Sequence, residues 1–164
     1  MKKISPLVKG AITGGVMVIV ASLLHYTNAS MNTGLQYLSL FLFAGGIAWT
    51  LIDYSKSPEY TGKFGDIFQQ GFKCFVIIAL VMITYLSIFI KMNPKLKEEH
   101  LAEYRKELVK TETSRTPAEI DTMIETARNG YITSMVSTSV FQYLLLGSAV
   151  TLAGAGILLI RKKQ

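Results

Sequence analysis

Four apolar runs, at about 8–25, 34–52, 67–90 and 131–160, take up most of a 164-residue chain. At about 1.5 Å per helical residue, each is long enough to cross roughly 30 Å of hydrocarbon. No water is available there to satisfy an unpaired backbone amide, so such runs must be helical. The expected fold is an all-α integral membrane protein, a single membrane domain over 1–164. It has four transmembrane helices, with an extracytoplasmic helical hairpin between spans three and four. Composition agrees: half the residues are apolar, mean hydropathy is +0.36 and 17% are charged, against roughly 25% in soluble domains.

The net charge of +6 would suggest an anionic partner such as nucleic acid if it were spread evenly, but it is not. Lys2, Lys3, Lys9, Lys56, Lys63, Lys73, Arg161, Lys162 and Lys163 lie at the two termini, between runs two and three, or just inside the start of run one (Lys9) or run three (Lys73), against only Asp53, Glu59 and Asp66. The segment 91–130 carries eight basic and eight acidic residues. The positive-inside bias therefore predicts cytoplasmic termini, a cytoplasmic loop at 53–66 and an extracytoplasmic segment at 91–130. Anionic headgroups account for the basic rim, and no nucleic acid is implied. Run one is read as a retained span. The basic start and the small residues at Thr27-Asn28-Ala29 resemble a signal peptide, but the apolar stretch begins only after Lys9 and contains Gly14-Gly15. Asn28-Ala29-Ser30 matches a glycosylation sequon, a three-residue pattern that chance often supplies.

The connections carry the remaining local signals. Pro58 and Gly62 break the loop after Asp53, whose carboxylate is expected to pair with Lys56 or Lys73. A helix should start just beyond Gly62. Phe64, Phe68 and Phe72 recur every four residues among Lys63, Asp66, Gln69, Gln70 and Lys73, an amphipathic ramp at headgroup level. Lys63, Gln69, Gln70 and Lys73 are the candidate contacts for an anionic lipid or a partner. In 91–130, Asn93-Pro94 predicts an N-cap and first helical position, followed by a stripe of Leu96, Leu101, Tyr104, Leu108 and Val109. Thr116-Pro117-Ala118-Glu119 is a capping box opening a second helix, with Ile120, Met123, Ile124 and Ala127 on one face and Asn129-Gly130 as a kink or break.

Small residues mark places where helices can approach closely: Gly10 and Gly14 in span one, Gly45 and Gly46 in span two, and Gly147, Thr151 and Ala155 in span four. Internal packing is the ordinary use of such positions, and a homo-oligomer or partner helix is the alternative. Trp49, Tyr26, Tyr37, Tyr54, Tyr60 and Tyr131 fall near predicted boundaries, where an aromatic belt belongs. Chemistry is hard to find. No Asp or Glu lies deep in a span, and His25 and His100 are at or beyond the edges. The lone Cys74 can form neither an intramolecular disulfide nor a thiolate cluster, and catalytic motifs are absent. No cofactor, metal or catalytic residue is expected.

The opening Lys2-Lys3-Ile4-Ser5-Pro6-Leu7-Val8-Lys9-Gly10 and the run Ala44-Gly45-Gly46-Ile47-Ala48-Trp49-Thr50-Leu51-Ile52 resemble the domain of unknown function (DUF) 4199 family. So do Thr61-Gly62-Lys63-Phe64-Gly65 leading to Gln70-Gly71-Phe72-Lys73, and Thr116-Pro117-Ala118-Glu119-Ile120. The resemblance covers almost the whole chain. It implies a small inner-membrane protein of the Bacteroidota, often encoded near a family 2 glycosyltransferase of the polyprenyl-phosphate sugar synthase type. It supplies no active-site residues. The function expected is a non-enzymatic accessory or structural subunit of a bacterial inner-membrane assembly, in contact with the lipid bilayer and a membrane-protein partner or a second copy. The alternative is a small transporter or lipid-carrier handling protein linked to polyprenyl-phosphate glycolipids.

Overall fold

A computed structural model describes residues 4–27, 33–112 and 114–162. It holds α1 (Pro6–Tyr26), α2 (Thr33–Ser55), α3 (Phe64–Met92), α4 (Pro94–Thr111) and α5 (Pro117–Lys162), with no strand among the described residues. Of these, α1, α2, α3 and α5 contain stretches long and apolar enough to cross a membrane. The sequon at Asn28, together with Lys2, Lys3 and Lys163, lies outside the described residues.

The helix ends follow from local chemistry. Ser5 caps α1, its Oγ accepting the Val8 amide at 3.4 Å, and Pro6 takes the first helical position, where no amide is needed. The α2–α3 connection is shorter than the 53–66 expected, because α2 runs to Ser55 and α3 begins at Phe64. Gly62 turns the chain there with φ of 69°, the left-handed region that L side chains avoid. Thr61 then holds the start of α3: its Oγ1 accepts the Lys63 amide at 3.1 Å and donates to Asp66 at 2.6 Å.

Asn93 departs from expectation. It occupies the N-cap position of α4 but makes no side-chain cap, its Nδ2 donating at 2.9 Å to the Phe89 carbonyl near the end of α3. The amide thus satisfies an orphan C-terminal carbonyl instead of an N-terminal amide. Helix α5 is continuous through Asn129 and Gly130, with no break.

The chain forms two compact units: Met1–Ile83 with Val140–Gln164, and Thr84–Ser139. Packing in the first is set by glycines. A Cβ on Gly10 would come within 2.5 Å of the Cys74 carbonyl oxygen, and one on Gly14 within 3.0 Å of Val81, so α1 lies directly on α3. Gly46 receives Thr13, Gly71 receives Thr151, Gly147 receives the Phe75 ring and Gly154 receives Leu51. Thus α1 meets α2 and α3, and α5 meets the same two helices. Met17, Phe43, Ile47, Ile67, Phe75 and Ile78 fill the interior at 1% exposure or less. The outward surface is also apolar: Ile19, Phe41, Phe141 and Ile157 are more than 60% exposed. An apolar exterior around a well-packed interior is what lipid as solvent allows.

The second unit combines the last turns of α3, all of α4 and the first turns of α5. Its core is Ile90, Leu101 and Tyr131, with Leu86, Ala127 and Ile132 packed against them. Glu98 pairs with Arg128 at 2.9 Å and Arg105 with Asp121 at 2.5 Å. Numbers rise along one helix as they fall along the other, so α4 and the first part of α5 run antiparallel. Leu108 and Ile120 are buried, while Tyr104 and Val109 from the expected stripe are 40% and 57% exposed. The capping box forms as its sequence requires. The Thr116 amide donates to the Glu119 carboxylate at 2.7 Å, and the Glu119 amide donates to Thr116 Oγ1 at 3.4 Å. The Thr116 amide, and its hydroxyl donating to the same carboxylate at 3.0 Å, favour the ionised form and hold the Glu119 carboxyl below the usual carboxylate range. Tyr131 was expected in an aromatic belt, but it is 7% exposed and its hydroxyl is 2.6 Å from His100 Nδ1.

Candidate functional site

Among the described residues of the first unit, the one charged side chain that is buried belongs to α1. Lys9 follows Pro6 by one turn, on the face that carries Gly10, Thr13, Gly14 and Met17, all buried. Because that face packs against α2 and α3, the side chain is carried inward, with 3% exposure. Its ammonium forms an ion pair and hydrogen bond with Asp53 in the last turn of α2 and lies 5.4 Å from the centre of the Trp49 ring. Asp53 keeps 41% exposure, so the carboxylate, and not the ammonium, is the accessible member. A buried lysine needs such a partner, since an unpaired charge in a low-dielectric interior costs several kcal/mol.

The pair lines a cleft of about 250 Å³ together with Tyr54, Ser57, Glu59 and Gln70. Tyr54 is fixed by an edge-on contact with Tyr60, ring centres 5.5 Å apart, and by donating its hydroxyl at 3.3 Å to the Glu59 carbonyl. Ser57 Oγ is shielded from solvent and has no hydrogen-bond partner. The cleft brings together hydrogen-bonding groups and two carboxylates against one buried ammonium. It contains no nucleophile paired with a base. Among the described residues no three His, Cys, Asp or Glu side chains converge on a metal position.

The residues expected at the ramp divide. Gln70 lines the cleft, whereas Lys63, Gln69 and Lys73 are exposed. The ramp's rings form a ladder: Phe64 on Phe68 at 6.0 Å, Phe68 on Phe72 at 6.2 Å, and Phe72 edge-on to Phe75 at 5.1 Å. Of the expected close-packing positions, Gly10, Gly14, Gly46, Gly147, Thr151 and Ala155 are buried, and Gly45 has nothing within 4 Å of a built Cβ. Cys74 is buried, its Sγ 3.6 Å from the Gly46 carbonyl. The Asp53 partner was expected in Lys56 or Lys73, and the structure supplies Lys9. Sequence counting placed Lys9 with the rim charges. The available signal was its position one residue before Gly10 and four before Thr13, on the small-residue face.

A second cavity, about 440 Å³, lies in the second unit beside the His100–Tyr131 contact and is lined by Leu101, Tyr104, Ala127 and Met135 among others.

Compared with known proteins, residues 9–159 match the family model described as "Protein of unknown function (DUF4199)". No curated protein and no solved structure matches the chain.

Proposed function

The chain belongs to the DUF4199 family, and from that premise we propose that it is a non-enzymatic accessory or structural subunit of a bacterial inner-membrane assembly. In this reading both termini and the α2–α3 loop are cytoplasmic, and the second unit is an extracytoplasmic helical hairpin. The observation that carries it is the two-unit division. The helical segments of the first unit, 6–26, 33–55, 64–83 and 140–162, are about 20 to 23 residues each, matched to one hydrocarbon thickness. What α3 and α5 add beyond that length, with α4, folds into a second unit with a core of its own. A unit with charged helix faces and a side cavity offers a partner a surface that a purely lipid-embedded protein lacks.

The test is affinity capture from gently solubilised native membranes. The parent should co-purify with a membrane protein in fixed stoichiometry. Tyr104→Lys, at the cavity of the second unit, should lose that protein while remaining inserted. Purified protein that alone turns over or translocates a substrate would overturn the accessory reading.

A second reading, a small transporter or handler of polyprenyl-phosphate lipids, is favoured by Lys63 and Lys73, exposed beside the ring ladder of α3. Near an anionic surface each lysine contributes about 1 kcal/mol. Under that reading Lys63→Ala and Lys73→Ala would each weaken retention of a phosphorylated lipid.

A further inference from the structure

A cavity of about 300 Å³ in the first unit lies between α1, α2 and the 140–162 part of α5. Tyr143 meets Phe43 with ring centres 5.5 Å apart and Gly154 meets Leu51, so numbers rise together along α2 and α5. Tyr37, Ser39 and Gln142 therefore line the end nearer the start of α2 and residue 140, while Met17, Phe43 and Leu146 line the interior. Met17 and Phe43 are 1% exposed, whereas Tyr37 and Leu40 are 56% and 39% exposed, so the cavity opens on the apolar outer surface.

Four side chains at this cavity can donate hydrogen bonds: Tyr37, Ser39, Gln142 and Tyr143. None of them has a hydrogen-bond partner among the described residues. The Ser39 and Tyr143 hydroxyls, unlike those of Ser57 and Thr151, are also open to contact. In a soluble protein water would satisfy such groups, but on a surface facing hydrocarbon another partner must. The site is uncharged as well: no Asp, Glu, Lys or Arg occurs anywhere in 10–52 or 129–160. An ionised headgroup would find no counter-charge there.

We propose that this cavity binds the head of an uncharged glycerolipid. Its hydroxyl and ester oxygens accept from Tyr37, Ser39, Gln142 and Tyr143, and an acyl chain runs inward over Met17, Phe43 and Leu146. The volume of about 300 Å³ equals that of roughly ten waters at about 30 Å³ each, enough for a glycerol head and the start of one chain. The rest of the lipid lies along the apolar exterior. The proposal goes beyond the accessory role and rests only on membrane insertion of the first unit. A phosphate-bearing lipid with the same chains brings an ionised group to an uncharged site, so it should bind less well.

The test uses the full chain in mild detergent with equal amounts of diacylglycerol, phosphatidylethanolamine and phosphatidylglycerol of the same acyl chains, read by native mass spectrometry. Diacylglycerol should be retained several-fold over the other two. Tyr143→Phe keeps the ring against Phe43 and removes only the hydroxyl. That variant and Ser39→Ala should each lower the preference with thermal midpoint unchanged, and the two combined should remove it. Equal retention of the three lipids, retention of none, preference for either phospholipid, or an undiminished preference in the double variant would overturn the proposal. Resistance of the chain to alkaline extraction from membranes reports insertion separately. An inserted chain without the preference therefore defeats only this inference, and a chain released by alkali defeats the membrane reading beneath it as well.

Discussion

Lys9 shows how a single residue can reverse a sequence-level argument without changing its outcome. As a rim charge it supports orientation, and as a buried ion pair with Asp53 it is neutral; removing both from the count leaves the net excess at that end unchanged. The pair should be unforgiving to one-sided change. Asp53→Asn leaves an enclosed ammonium without its counter-charge and should cost about 3 kcal/mol, the lower end of the usual range of about 3–5 because Asp53 is partly exposed. Lys9→Met with Asp53→Asn should recover most of that loss, measured by thermal unfolding in detergent. Thr151 makes the opposite case. It is fully buried against Gly71, and its Oγ1 has no hydrogen-bond partner. Thr151→Val keeps the shape and removes an unsatisfied group, so the same measurement should show an unchanged or raised midpoint.

At the scale of elements, the clearest sequence signals were backbone signals, because they act within a few residues. The Thr116 capping box, the glycine turn at 62 and the proline starts at Pro94 and Pro117 all appear where local chemistry places them. What the sequence did not disclose depended on distant partners. Asn93 gives its side chain to Phe89 of α3, Tyr131 turns into a core with Leu101, and Gly45 packs on nothing while Gly46 receives Thr13. Two adjacent glycines on a helix point about 100° apart, and only the neighbour's position decides which one is used.

The cap also gives a pH dependence. The Glu119 carboxyl titrates lower folded than unfolded, so its contribution to the helix start is fully present above the unfolded value and is lost as pH falls through the folded one. Amide exchange over 118–125, corrected for intrinsic rates, should accelerate in that acid range. Thr116→Ala should accelerate it already at neutral pH, at a local cost of about 1 kcal/mol. Unchanged exchange in the variant would show that the cap does not hold this helix end.

On the scale of the whole molecule, four helices long and apolar enough to cross a membrane could be read directly from run length, because a bilayer sets the length such a run must reach. The division into two units was less legible. Apolar runs 67–90 and 131–160 continue past the unit boundaries near 83 and 140, since hydropathy does not distinguish apolar residues facing lipid from those, like Ile90 and Tyr131, that build a small core. The cleft was invisible for a related reason. Its lining comes from the start of α1, the end of α2 with its loop, and one residue of α3, and each looked like an ordinary helix end by itself.

The central claim, that four spans place the second unit across the membrane from the α2–α3 loop, is tested most directly by single-cysteine labelling in intact cells. In a Cys74→Ala background, cysteines replace Ser114 in the second unit and Lys56 in the loop, both exposed positions. An impermeant thiol reagent should label Ser114→Cys and spare Lys56→Cys until the membrane is permeabilised. Labelling of Lys56→Cys in intact cells, or protection of Ser114→Cys, would contradict the account.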